Sequence, residues 1–288
     1  MTDMILATYA FVVGACIGSF LNVCVSRWPL ELSVVHPRSR CPRCASPIGW
    51  RDNIPIVSWI LLRGKCRGCA LPISYQYPLV ELLVALGWMV TALHFGPTFT
   101  SLRVAVFATT LFGIALTDAK HYLIPDGFTV FGLVWVLITS IVGAVVGETM
   151  PFVGPYDALV GACVGAGAIS IVGWLGEVVL KREAMGFGDV TLMAVVGAAL
   201  GPARTFVTIF LGAAIGAFAF VLVVYPLVRR RAARAAHGVQ TELALGDDSH
   251  PEMPQVPFGV FLAPAALVAL LWGQPLIDWY LRRALLDS

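Results

Sequence analysis

Two aspartates, Asp118 and Asp189, each stand where a long uncharged run meets a short polar segment. The first lies in Leu116-Thr117-Asp118-Ala119-Lys120-His121-Tyr122-Leu123-Ile124-Pro125-Asp126 and the second in Met185-Gly186-Phe187-Gly188-Asp189. A carboxylate at a membrane-embedded helix end is costly unless it is partnered or functional. Two carboxylates a few ångströms apart cannot easily both ionise and so share a proton. One can then activate water as a general base while the other protonates or hydrogen-bonds a scissile carbonyl. That chemistry hydrolyses a peptide bond with no metal and no covalent intermediate. Helix capping and ion or proton translocation stay open as alternative roles for the same aspartates. Asp126, directly after Pro125 and before an apolar run, fits a helix N-cap. Gly186 and Gly188 permit tight turning and the close approach of another helix or an extended substrate.

Four cysteines form a second constellation. Cys41-Pro-Arg-Cys44 and Cys66-Arg-Gly-Cys69 are two CxxC knuckles separated by 21 residues, suited to tetrahedral Zn2+ held by four thiolates. Four Cys ligands leave no open coordination position, so the role is structural. Two disulfides or a redox site are the alternatives, and a cytoplasmic location argues against structural disulfides. Cys16, Cys24 and Cys163 fall in apolar runs and read as small buried hydrophobes.

These residues must be positioned by a membrane scaffold. The 288-residue chain is 58% hydrophobic and 12% charged, with a mean hydropathy of +0.84, against about 25% charged in soluble domains. Runs of the length that a hydrocarbon layer of about 30 Å requires predict eight helices. They fall at 4–25, 78–95, 101–117, 127–147, 156–179, 189–200, 204–226 and 257–276. The sixth is short for a span. It either extends across Gly201-Pro202 or sits deep among its neighbours, where protein can satisfy freed backbone groups. The first run, Ile5 to Val25, is longer than a signal-peptide core and lacks a basic leader of its own, so it reads as a true first helix. The expected fold is an all-α polytopic membrane protein with a small zinc-stabilised insert. Its parts are a first helix (1–25), a four-cysteine insert (26–77) and a seven-helix membrane domain (78–288) with a loop at 227–256.

Charge bias orients the stack. Segments 26–77, 118–126, 180–188 and 227–256 hold 15 of the 19 Lys and Arg residues, leaving Arg103, Arg204, Arg282 and Arg283 for the other side. The positive-inside rule then places the insert and both aspartates in the cytoplasm and the two termini outside. Because the basic residues are not gathered into one stripe, they do not point to nucleic acid. The insert has about fifty residues and cannot bury much core, so it needs a staple such as a metal. The 227–256 loop opens on Arg229-Arg230-Arg231 and turns acidic through Asp247, Asp248 and Glu252, as a flexible inner loop does.

The ordered fragments resemble the type IV prepilin peptidase family over nearly the whole chain. They are Gly18-Ser19-Phe20-Leu21-Asn22-Val23 with Arg27 and Pro29, Pro37-Arg38-Ser39-Arg40 with the first knuckle, Asn53-Ile54-Pro55 with Ser58-Trp59, and Leu62-Arg63-Gly64-Lys65 with the second knuckle. Ile73-Ser74, Tyr77-Pro78 with Glu81, both aspartate motifs and Val256-Pro257-Phe258-Gly259 complete the set. The resemblance implies that Asp118 and Asp189 form the catalytic pair of a membrane aspartyl protease, with Asp126 in a supporting role. It implies removal of a short basic leader from type IV prepilins or type II secretion pseudopilins, after a glycine, at the cytoplasmic face of the bacterial inner membrane. It also implies methylation of the new N-terminal amine with S-adenosylmethionine, and partnership with pilus or secretion machinery.

No Gly-rich dinucleotide-type fingerprint is present, so by resemblance the methyl donor falls to Arg38, Arg40, Asn53 and Glu81. Glu81 also reads as a helix-start charge near the interface, and Gly18, Ser19 and Asn22 as helix-packing residues. Thr191 stands where many relatives carry lysine, and the acidic part of the 227–256 loop is longer than expected. A peptidase without methyl transfer, a transporter and an assembly scaffold are the competing functions.

Overall fold

The computed structural model describes residues 2–181, 185–226 and 257–286. The loop at 227–256, with its acidic run, lies outside them. In hydrocarbon a single segment can satisfy its own backbone only as a helix, and the uncharged runs form helices throughout. These are α1 (Thr2–Arg27), the short α2 (Val57–Leu61), α3 (Gln76–Phe95), α4 (Phe99–His121), α5 (Asp126–Val146), α6 (Pro155–Leu180), α7 (Phe187–Ala219) and α8 (Gly259–Leu286). Single 3-10 turns sit at Trp28–Leu30 and Trp50–Asn53. The fold is all-α and polytopic. Apart from α2, the helices are long and apolar enough to cross a membrane, seven of them among the described residues.

The difference from the expected eight lies in α7, which is one unbroken element only in name. Gly201 inside it has φ 74° and ψ 173°, and Pro202 follows. A methyl group at Gly165 of α6 would press on the Met193 carbonyl and also stand 3.4 Å from Thr205. Twelve residues of straight helix would separate those two by about 18 Å, so α7 folds back at Gly201. Its first arm runs antiparallel to α6 and its second runs parallel to it. The first arm is short because it is a core helix. Leu192, Met193, Val195, Val196, Ala198, Ala199 and Leu200 are all at most 1% exposed, an all-round apolar surface with no lipid face to fill.

Two buried arginines fasten the end of the bundle where α7 turns. Arg204 donates from Nε to the Leu200 carbonyl at 2.9 Å and from a terminal nitrogen to Pro151 O at 2.6 Å. Arg103, fully buried, donates to Glu148 O at 3.0 Å, and its guanidinium lies 4.1 Å from the centre of the Phe152 ring. The α5–α6 connection is thereby drawn into the bundle, and Val153 N–H reaches Ala199 O at 3.3 Å. Arg103 is partnered through one terminal nitrogen and the Phe152 ring, while its Nε and Nη2 are buried without a hydrogen-bond partner among the described residues.

At the opposite end the helix boundaries differ slightly from expectation. Helix α4 continues past residue 117 to His121 and closes on Tyr122, whose left-handed φ of 53° turns its N–H back to Asp118 O at 2.9 Å. Asp118 therefore belongs to the last turn of a helix. Helix α5 takes Pro125 as its N-cap, and Asp126 occupies the first helical position with no side-chain cap bond. The N-cap expectation for Asp126 is corrected: extended Pro125 starts the helix one residue earlier, and the exposed Asp126 carboxylate complements the helix dipole from inside the first turn.

Helices α1 and α3 pack through small residues, as Gly18 led one to expect. A methyl group there would lie 2.8 Å from Glu81 Cα, and the Asn22 amide donates to Tyr77 O at 3.1 Å. Cys24 is buried, but Cys16 and Cys163 are exposed, a correction with a simple cause. In a bundle with a lipid-facing exterior, a small apolar side chain is not driven inward.

Candidate active site

Four chain segments converge at the Asp118 end. Asp118 is 6% exposed, and its Oδ2 accepts the N–H of Val260 at 3.1 Å. That amide is one of the orphan donors of the first turn of α8. The approach depends on Gly259, where a methyl group would stand 2.8 Å from the same carboxylate oxygen. Asp189 lies in the first turn of α7 and is half-buried; Gly186 is the N-cap and accepts the Asp189 N–H at 3.1 Å. Neither this helix start nor that of α5 uses an aspartate as its cap.

Ile124, 6% exposed, holds these pieces together. It lies 2.8 Å from where a Gly188 Cβ would be and 3.1 Å from where a Gly259 Cβ would be. Both glycines are therefore sites of close approach. The arrangement gathers the helix ends that carry Asp118 and Asp189 around Ile124. Thr191, the departure noted above, turns its hydroxyl back to Gly188 O at 2.9 Å. Asp126 is two residues beyond Ile124, exposed to solvent. Beside it Gly127 packs under Trp28, whose ring meets Phe128 edge-on at 4.4 Å.

The cysteine cluster is built from two copies of one turn. Cys41 N–H bonds Ser46 O and Ala45 N–H bonds Cys41 O; 25 residues later Cys66 N–H bonds Leu71 O and Ala70 N–H bonds Cys66 O, each at 2.9 Å. Ala45 and Ala70 both take φ 58°. The repeat was present in the sequence, as Cys-Pro-Arg-Cys-Ala-Ser-Pro-Ile and Cys-Arg-Gly-Cys-Ala-Leu-Pro-Ile, but the spacing of cysteines alone did not expose it. The four sulfurs lie within 4.8 Å of one another, with Cys41 to Cys69 and Cys44 to Cys66 both at 4.0 Å. A tetrahedron with metal–sulfur bonds of about 2.3 Å has edges of about 3.8 Å, so the residues fit a four-coordinate metal. The Ser46 hydroxyl, 3.2 Å from Cys44 Sγ, is the main cause that holds this thiol down to about 6, while Cys69 of the same cluster is pushed up to about 11.

The second knuckle also grips its neighbour. Arg67 forms a bidentate pair with Asp52 at 2.8 and 2.7 Å, and this hydrogen-bonded arginine holds the Asp52 carboxyl below its usual range. The 3-10 turn carrying Asp52 forms one wall of a cleft of ≈ 550 Å³ between α1 and the insert. Arg38 and Asn53 line it, together with Ser19, Arg27 and Trp50. The other two methyl-donor candidates stand apart: Arg40 pairs its backbone with Pro47, and buried Glu81 accepts the Ile56 N–H at 2.7 Å.

An all-α bundle with two acidic helix ends meeting at one end, and a four-cysteine insert beside them, defines a polytopic membrane protein with a shielded carboxylate site. Comparison with known proteins gives the family. Residues 12–95 match the Bacterial Peptidase A24 N-terminal domain, and residues 105–221 match the Type IV leader peptidase family. Prepilin leader peptidase/N-methyltransferases are similar over most of the chain. The one from Aeromonas hydrophila is 32% identical over 295 residues, covering 94% of this chain and 92% of that protein. The one from Stutzerimonas stutzeri is 35% identical over 298 residues, covering 96% and 93%. The one from Myxococcus xanthus is 41% identical over 194 residues, which is 67% of this chain and 56% of that protein. No solved structure matches. The chain belongs to the type IV prepilin leader peptidase/N-methyltransferase family and is a multi-pass inner-membrane protein of that family.

Proposed function

We propose that the protein removes the basic leader from type IV prepilins or pseudopilins after a glycine at the cytoplasmic face, with Asp118 and Asp189 as the catalytic pair, and then methylates the new N-terminus. The observation that carries this reading is the meeting of the two aspartates, 71 positions apart in sequence, around Ile124 with glycine at each close approach. The bias of Lys and Arg toward that end supports its cytoplasmic placement.

Asp118 is anchored through Oδ2 by the Val260 amide, which leaves its other oxygen to share a proton with Asp189. With one proton between them, the ionised carboxylate takes a proton from water as water attacks the scissile carbonyl. The protonated partner donates to the carbonyl oxygen. Collapse of the tetrahedral species breaks the C–N bond: the carboxyl that received water's proton passes it to the leaving amine, and a hydroxyl of the intermediate returns its proton to the partner carboxylate, which restores the singly protonated pair. Gly186 supports this by letting an extended substrate backbone lie close to Asp189, and Gly188 supports it by admitting Ile124.

Cys41, Cys44, Cys66 and Cys69 hold Zn2+, which closes the insert and has no open position for chemistry. The cleft holds S-adenosylmethionine, which supplies an electrophilic methyl group when bound. Its volume falls in the range of small-molecule sites. The Asn53 amide and the Arg38 guanidinium orient polar groups, and Trp50 offers a flat apolar wall. The test is mass spectrometry of a prepilin incubated with the reconstituted protein and S-adenosylmethionine, comparing wild type with Asp189→Asn. Loss of the leader plus gain of one methyl group, both absent in the variant, supports the full reading. An intact prepilin with folded wild-type protein overturns it.

A further inference from the structure

The insert carries an apolar surface that none of the chemistry above uses. In α2, Val57, Ile60 and Leu61 are 47%, 61% and 75% exposed, and Ile54 just before it is 42% exposed. The opposite face is tied into the insert. Ser58 Oγ accepts Ile54 N–H at 2.8 Å and donates to Arg51 O at 2.9 Å, and the Trp59 indole donates to Ile73 O at 3.2 Å.

The depth of this surface is set by the Ile56 amide bond to Glu81. Helix α3 has 20 residues, a length of about 30 Å, which is the thickness of the hydrocarbon layer. It has no turns to spare, so Glu81, five residues in, lies about 7.5 Å inside the helix start. The insert's backbone is bonded to the carboxylate of this residue, a side chain that leans back toward the helix start. Beyond Glu81 the exposed Leu82 and Leu83 of α3 continue the same apolar exterior. Arg51 and Arg63 bracket the segment and are exposed, as cations facing anionic headgroups would be.

We propose that residues 54–61 form a foot seated in the lipid leaflet, with Val57, Ile60 and Leu61 among the acyl chains. The occupant of this face is the bilayer itself. Glu81 is then a positioning residue that accepts a backbone N–H which hydrocarbon cannot satisfy. Through Ser58 and Arg51 the foot fixes the 3-10 turn that walls the cleft, so the cleft opens at the membrane surface rather than out in the cytoplasm.

The test uses the full chain in vesicles of phosphatidylethanolamine and phosphatidylglycerol. An environment-sensitive fluorescent amino acid replaces Leu61 in one protein and the exposed Arg43 in another. Quenching is compared between aqueous iodide and a lipid bearing a nitroxide near the top of its acyl chain. The expected result is quenching at position 61 by the nitroxide lipid with little loss to iodide, and the reverse at position 43. Iodide quenching at position 61 equal to that at position 43 overturns the proposal. Shielding of position 61 from both quenchers also overturns it, because a protein surface then covers the face.

Discussion

Asp118 and Val260 are joined by a hydrogen bond of 3.1 Å across 142 residues of sequence. The contact places the first turn of the last helix against the last turn of α4 and gives one carboxylate oxygen a fixed donor. On the proposed reading, this donor holds one oxygen of Asp118 while the other shares the proton with Asp189.

Asp118→Asn and Asp189→Asn should each lower leader cleavage by about 10³-fold or more, the range expected for loss of a positioned acid or base. Metal content and thermal unfolding should stay at wild-type values. Cleavage is read by the mass of the processed prepilin. Substantial cleavage by either variant removes that aspartate from the pair.

Gly259→Ala puts a methyl group 2.8 Å from Asp118 Oδ2, and Gly188→Ala puts one 2.8 Å from Ile124 at the other close approach. Each substitution should displace a carboxylate by a fraction of an ångström to an ångström, at a cost of about 10²-fold in kcat. KM should change little. An effect confined to KM would place the glycines in substrate binding instead.

Arg38→Ala and Asn53→Ala should lower methyl transfer and the binding of S-adenosylmethionine, measured by calorimetry, while leaving leader cleavage intact. Both residues line the cleft, and the carboxylate pair is built from other elements. Equal loss of both reactions would show that the cleft does not serve methylation alone.

The Arg67–Asp52 pair has a defined pH signature. The folded Asp52 carboxyl is depressed, so its contribution is present above the ordinary aspartate value of about 3.9 and fades as pH falls through the lower folded value. Protection of residues 50–53 from hydrogen exchange, corrected for intrinsic rates, should therefore be flat from about pH 5 to pH 8. Asp52→Asn should reduce that protection throughout this window. A protection that varies steeply within this window would assign the wall to another group.

The membrane fold was legible because each span announces itself as a run without charge. Even the short run at 189–200 carried its own explanation, since an apolar stretch too brief to cross alone belongs among its neighbours. The fold-back at Gly201 could be read as a Gly-Pro break, but its angle could not. The fastening of the 147–154 connection by Arg103 and Arg204 was hidden because both arginines counted only as outer charges. At the site, the aspartates and cysteines stood out by type and position. Val260 did not, since a backbone amide has no sequence signature, and the shift of Asp126 from cap to first helical position rested on the single residue Pro125. The knuckle repeat was legible in principle, in the shared Ala, Pro and Ile around each CxxC.

Because the two knuckles carry the same internal hydrogen bonds, each half closes its own turn. On the proposed reading, a metal held by the four cysteines would act as a rivet between two closed turns. A chelated insert would part along the line between Cys41–Cys44 and Cys66–Cys69, with each turn still closed on itself.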